Sequence, residues 1–280
     1  MLKVVNWDKI KQDYRIWKES PNSTIYISGN SVVKILCNDA LNFFDISGYS
    51  LEKRLEASER FSDITDKSTG ITEIPRPRLM VEKDGRISGF EQFTIVGPTS
   101  DEFFHGNHSF KEKAQVQQKI DRVVIEAHKR GAIFPDLCNP GNIIINHNTP
   151  IFLDHDGIQI DGMPAFNYAN EFDPTDHLEK LGGYDRETKL FTKKADSVGA
   201  AMLTSKLIFN TSLLPVLNGH IGLDCFFNMI NLESKKTKEK FEKIFSPGNE
   251  DEYLGDNLRG LSDQFELIGQ DCSHIQLTRK

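Results

Sequence analysis

The chain has 280 residues, 38% of them hydrophobic and 27% charged, with a formal net charge of -7. This length accommodates one large domain or two small ones around a buried core, and the acidic balance excludes the overall basic field that makes nucleic acid a default partner. No run approaches the roughly 18 apolar residues of a membrane-spanning helix. The opening MLKVVNWDKIK carries no long apolar core, so a common export signal is not expected. Cysteines 37, 138, 225 and 272 are scattered without metal-ligand spacing and fit free thiols in a reducing compartment. A cytoplasmic protein is the expectation, and delivery into a host cell by another route fits the same composition.

Taken in order, residues 6–18 form a charged and aromatic lead-in of little weight. Residues 24–28 and Ser31–Leu36 are two short runs rich in Ile, Val and Tyr, joined by Gly29 and Asn30, a strong hairpin signal. Lys34 lies inside the second run. With Val33 and Ile35 turned to a core, its plainest reading is an exposed strand residue. Residues 51–61 have helical composition with Leu51, Leu55, Ser58 and Phe61 near one face. Glu52, Glu56 and Glu59 either face back toward the hairpin or form a solvated side. Residues 78–82 and 87–95 are two further strands. The first region, residues 1–97, is therefore expected to be a small, mostly antiparallel sheet of about five strands carrying one helix.

Gly97 and Pro98 mark the boundary to a mostly helical region, residues 98–280. The spacing predicts a long helix over 110–130, stopped by Gly131. Further helices are expected over 194–209, which holds Asp196, over 213–230 and over 235–244, with small helices in the tail from Ser246. The fold class is α+β. The helix over 235–244 has a basic face but too few aromatics for a nucleic-acid surface.

The stretch FPDLCNPGNIIINHNTPIFLDHDGIQI, from Phe134 to Ile160, organises the rest. Asp136 follows a short apolar run, and Asn142 opens the run 143–145. His147, Asn148, Thr149 and Pro150 reverse the chain into 151–153, which ends at Asp154. A strand, a tight turn and a strand bring Asn142 and Asp154 near each other. An amide oxygen and a carboxylate there suit a hard, oxygen-seeking cation such as Mg2+. A cleft-facing Lys34 needs a carboxylate partner, because an unpaired charge out of water is expensive.

These residues resemble the protein kinase superfamily, in particular compact, divergent bacterial serine/threonine kinase-like proteins. GAIFPDLCNPGNIII and FLDHDG are similar to the catalytic loop and metal-binding segment, SVVKIL to the strand with the nucleotide-binding lysine, and EKRL to the helix with its glutamate partner. The resemblance spans roughly residues 20–210. It implies a bilobal kinase-like fold and transfer of the γ-phosphoryl group of ATP, with Mg2+ or Mn2+, to a serine or threonine hydroxyl of a protein substrate. By the same resemblance Asp136 is the catalytic-loop aspartate, Asn142 and Asp154 hold metal, and Lys34 contacts the α- and β-phosphates. Glu52 orients Lys34, with Glu56 as its alternative. Asn22, Ser23, Thr24 and Phe93 contact the nucleotide, while Asp196 and Glu171, the latter in ANEF at 169–172, are supporting acids.

The sequence also departs from the family's pattern. ESPNSTIY, residues 19–26, stands where a glycine-rich phosphate loop belongs and contains no glycine. Phe134 and Pro135 replace the usual residues before the aspartate. Asn142 comes one position late, so the loop bulges or Asn139 shares its role. Cys138 stands where a phosphate-contacting lysine is common. Only 17 residues separate Asp154 from Glu171, which implies control by a partner or ligand rather than by a phosphorylated activation loop. These departures keep two other functions open: a pseudokinase that binds nucleotide and a partner protein, and a small-molecule kinase of the aminoglycoside or choline type. The short stretch from Pro98 to Asp136 leaves room for one long helix and favours a protein substrate over a small molecule.

Overall fold

The computed structural model of the chain describes residues 2–153, 157–165, 176–248 and 252–253. The architecture is mixed α+β, with an N-terminal region of sheet and helices and a largely helical C-terminal region.

The chain opens with β1 (Lys3–Asn6) and the single turn α1 (Trp7–Ile10). It continues through β2 (Arg15–Glu19), β3 (Ser23–Ser28), β4 (Ser31–Leu36), α2 (Asn38–Ile46) and α3 (Leu51–Ser58). A long loop then leads to β5 (Leu79–Lys83) and β6 (Arg86–Phe93). The strands form one six-stranded sheet in the order β1-β5-β6-β4-β3-β2. This corrects the sequence expectation in three ways. The first 19 residues supply two strands, β1 pairs parallel to β5 in an otherwise antiparallel sheet, and α2 joins α3 beside it.

Two of these corrections have a local cause. Asn6 caps α1 by accepting the Asp8 N–H at 3.0 Å, and this turn places Trp7 in a core with Val33, Ile35 and Val81. The aromatic lead-in is thus tied down by its own tryptophan. In α2 the Cys37 sulfur accepts the Ala40 N–H. The helix then buries Ala40, Leu41 and Phe44 against Leu36, Leu51, Leu55, Met80 and Phe90.

Residues 62–75 cross from the sheet to the helical region and are held there by two acids. Asp66 accepts hydrogen bonds from Lys119 Nζ at 2.6 Å, Ser68 Oγ at 2.7 Å and Thr149 Oγ1 at 2.8 Å. Glu73 is paired with Arg122. Burial pushes the Asp66 carboxyl up, but the bonds from Lys119, Ser68 and Thr149 outweigh it and hold the group well below the usual carboxylate range. A depressed folded pKa stabilises fully above the unfolded value of about 3.9 and loses that contribution as pH falls through the folded value. Asp66→Asn is therefore expected to cost about 2 kcal/mol at pH 7. Urea unfolding at pH 7 and at pH 3 checks this, the gap between the two proteins narrowing at the lower pH.

After β6, residues 94–99 lie along the strand that follows the candidate loop. Ile145 N–H donates to Pro98 O at 2.8 Å, and Asn146 Nδ2 to Val96 O at 2.7 Å. A Cβ on Gly97 would stand 2.4 Å from Ile145 O, so only glycine permits this approach. Next come α4 (Ser100–His105) and α5 (Phe110–His128), each opened by a capping box, Thr99 with Glu102 and Ser109 with Glu112. Then follow β7 (Ala132–Ile133), β8 (Ile143–Asn146), β9 (Thr149–Phe152), β10 (Gln159–Ile160), α6 (Asp176–Lys180), β11 (Tyr184–Asp185), β12 (Leu190–Phe191), α7 (Lys193–Ile208), α8 (Leu214–Leu217), α9 (Leu223–Met229) and α10 (Lys235–Ile244).

Helix α7 is buried on nearly every side and joins two cores. Ala200, Leu203 and Leu207 meet α5 and the β8–β9 hairpin, while Ala195, Val198, Ala201 and Met202 meet α9 and α10. The single helix expected over 213–230 is instead α8 and α9. Gly219, at φ +69, breaks the path between them. Among the described residues no helix is long and apolar enough to cross a membrane. The tail beyond residue 253 lies outside the described residues.

Candidate functional site

The candidate site begins with strand alternation on the sheet. Lys34 pairs with Ile25 on one side and Phe90 on the other, and Val32 pairs with Ile27 and Gln92. Directly opposed residues share a face, so these side chains form one surface. Val33 and Ile35 point to the opposite face, against Trp7 and Val81. Close approach of β6 to β4 holds this row in place, since a Cβ on Gly89 would sit 2.1 Å from Lys34 O.

That surface roofs a cleft of about 880 Å³ whose floor includes Asp136, Asn139, Asn142, Ile144 and Leu153. Lys34 is half-buried in its roof. Lys34, Asp136 and Asn142, far apart in sequence, thus line one cavity.

The loop between β7 and β8 shapes the floor. Asp136 Oδ2 accepts a bond from Asn142 Nδ2 at 2.5 Å and a longer one from Asn139 Nδ2 at 3.2 Å. A 3-10 turn over Pro140–Asn142 leads from the loop into β8. Asn139 Oδ1 is engaged locally, accepting the Gly141 N–H at 3.1 Å. Both asparagines therefore orient the aspartate, and Asn142 keeps its Oδ1 without a hydrogen bond among the described residues.

Behind the loop, Asp196 is fully buried. Its two oxygens accept the Phe134 N–H at 2.9 Å each, and Oδ2 also meets His128 Nε2 at 2.7 Å. Tyr253 Oη lies 3.4 Å from the other ring nitrogen of His128. Burial raises the Asp196 carboxyl above the ordinary range, against the opposing pull of His128 and the Phe134 N–H. Phe134 packs on Phe152, ring centroids 5.1 Å apart, so the backbone two residues before Asp136 is fixed from both sides.

The β8–β9 hairpin is antiparallel, with Ile143 opposite Phe152. His147 and Asn148 both take positive φ in its two-residue turn. Leu153 N–H donates to Asn142 O at 3.0 Å, which sets position 153 across from Asn142. Asp154 and Glu171 lie outside the described residues. Among the described residues no three His, Cys, Asp or Glu side chains converge as a metal-ligand group.

Other sequence-predicted residues are placed differently. Glu52 and Glu56 are exposed on α3, and among the described residues no ion pair joins either to Lys34. The buried face of α3 is Leu51, Arg54, Leu55 and Ser58, and one residue of offset, about 100° of helix, turns both glutamates to solvent. Arg54 is the charged residue that α3 buries. Its guanidinium donates to Ile158 O at 2.5 Å and to Pro164 O, and lies 4.7 Å over the Phe44 ring. Asn22 and Ser23 line the cleft, whereas Thr24, one step out of phase, does not. Phe93 is 59% exposed at the cleft rim, with Arg78 stacked 4.2 Å over its ring.

Sequence reasoning missed Trp17, Lys18, Gln92, Thr94 and Lys206, all of which line the cleft. For Gln92 and Thr94 the signal was available in the alternation from Phe90. For Trp17 and Lys18 it lay in strand β2, which was not anticipated. Neither a protein-family model nor a curated protein matches the chain.

Proposed function

We propose that this chain is an ATP-dependent phosphotransferase with a bilobal kinase-like arrangement, moving the γ-phosphoryl group to a serine or threonine hydroxyl of a protein. One observation carries this reading: a single cleft between sheet and hairpin is lined by Lys34, Asp136 and Asn142 together. Ile25, Ile27, Val32 and Phe90 above, with Ile144 and Leu153 below, supply apolar walls for a flat base. Lys34 neutralises charge on the α- and β-phosphates. The acceptor oxygen attacks the γ-phosphorus, the bond to the β-phosphate oxygen breaks, and ADP leaves. Asp136 orients the hydroxyl and takes its proton.

The donor chemistry suits a hard divalent cation. Asn142 Oδ1 is unengaged among the described residues, and in the sequence Asp154 follows directly on the lining residue Leu153. These two residues would hold Mg2+ or Mn2+, which would neutralise phosphate charge when bound.

A second reading, a nucleotide-binding pseudokinase, is favoured by the loop at 20–23. Ser20 N–H donates to Ser23 O at 2.9 Å, and Ser23 N–H to Ser20 Oγ at 3.1 Å, so the loop is closed on itself. Incubation with γ-labelled ATP, Mg2+ or Mn2+ and generic protein acceptors separates the two. Label on protein supports the transferase. Metal-dependent nucleotide binding without transfer selects the pseudokinase, and label on a small-molecule acceptor alone moves the substrate class.

A further inference from the structure

Strand β2 forms the free edge of the sheet, and its pairing with β3 is interrupted. Ile16 opposes Tyr26 and Lys18 opposes Ile25, leaving Trp17 as an extra residue between them. Such a bulge turns two consecutive side chains to one face, which a regular strand of period two cannot do. Trp17 and Lys18 accordingly both line the cleft, while Ile16 does not.

The register places Lys18 in a row with Lys34. Lys18 opposes Ile25, Ile25 opposes Lys34, and Lys34 opposes Phe90, across four strands on one face. With neighbouring strands about 4.8 Å apart, the two lysine Cα atoms stand roughly 10 Å apart. Flexible ammonium stems span that distance by converging on one chain of phosphates. Among the described lining residues the cleft holds Lys18, Lys34 and Lys206 against the single carboxylate of Asp136, in a chain whose net charge is -7. Three cationic side chains are thus brought to the lining of one cleft, where an anion would enter.

The adjoining loop spends backbone donors on itself. A glycine-rich turn offers backbone N–H groups to phosphates, but here the Ser20 and Ser23 N–H groups are spent within the loop and Asn22 O accepts the Cys37 N–H at 2.8 Å. We propose that Lys18, aimed by the bulge at Trp17, works with Lys34 as a two-lysine clamp on the ligand's polyphosphate, replacing the missing phosphate loop. This deepens the phosphotransferase reading and rests on it for the identity of the base.

Calorimetric titration of the full chain with ATP, adenosine and inorganic tripolyphosphate tests the clamp. Lys18→Gln is expected to weaken ATP and tripolyphosphate about ten-fold, to leave adenosine unchanged, and to be rescued by Lys18→Arg. Lys235→Gln, whose parent side chain is 91% exposed on α10, is the charge control and should change nothing. Equal ATP affinity in wild type and Lys18→Gln, or an equal loss in Lys235→Gln, overturns the clamp and leaves the transferase reading standing. Tripolyphosphate binding that depends on Lys18 without any adenosine or ATP preference supports the clamp and overturns the nucleotide reading. A folded wild type that binds none of the three overturns both.

Discussion

Asp136→Ala is expected to lower transfer of label from γ-labelled ATP about a thousand-fold while nucleotide affinity stays within a few-fold of wild type. The carboxylate is half-buried in the cleft floor and takes amide hydrogen bonds from Asn139 and Asn142 on one oxygen, Oδ2. These bonds aim the group toward the cleft. Alanine also frees the two amides and loosens the loop, so Asp136→Asn is the sharper variant. It keeps the size of the side chain but removes the basic oxygen, and the same loss of turnover should appear with an unchanged melting temperature. Transfer that survives in both variants would remove Asp136 from the chemistry, and with it the strongest reason for reading the cleft as catalytic.

The second large effect lies behind the loop. Asp196→Ala should cost about 3–5 kcal/mol of stability, a large share of the 5–15 kcal/mol typical of a folded domain. The carboxylate accepts from Phe134 N–H and meets His128 Nε2, both in fully enclosed surroundings. Truncation strands a buried backbone donor and a buried imidazole together. Asp196→Asn keeps one acceptor oxygen and should lose less than half as much. Because Phe134 lies two residues before Asp136, Asp196 acts as a positioning residue. Asp196→Asn is therefore expected to lower kcat and leave nucleotide affinity unchanged. A stability loss with normal kcat would confine Asp196 to the fold. Guanidinium unfolding and steady-state transfer rates measured on the same preparations separate these results.

Much of the local structure was legible because its causes lie within a few residues. Gly29 and Asn30 mark the turn between β3 and β4, His147 and Asn148 the turn between β8 and β9, and Gly131 the end of α5. The phase of β4 separates Lys34 from Val33 and Ile35, and it is the same phase that gives Lys34 to the cleft. The outward turn of Glu52 and Glu56 was not legible. Charge and spacing favour Glu52 or Glu56, but burial on α3 follows its apolar face, and the side chain enclosed there is Arg54.

Turn chemistry, strand alternation and helix period were thus determined by the sequence itself, since each is settled by residues that are neighbours along the chain. Tertiary structure alone decided the parallel seat of β1 on β5, the turn of Trp17 and Lys18 into the cleft, and the tie between Arg54 and Ile158, which are 104 residues apart. Those outcomes depend on which surfaces meet after the chain has collapsed. A bulge or a buried guanidinium is favoured by the partner across the gap, and no local pattern carries that partner's position.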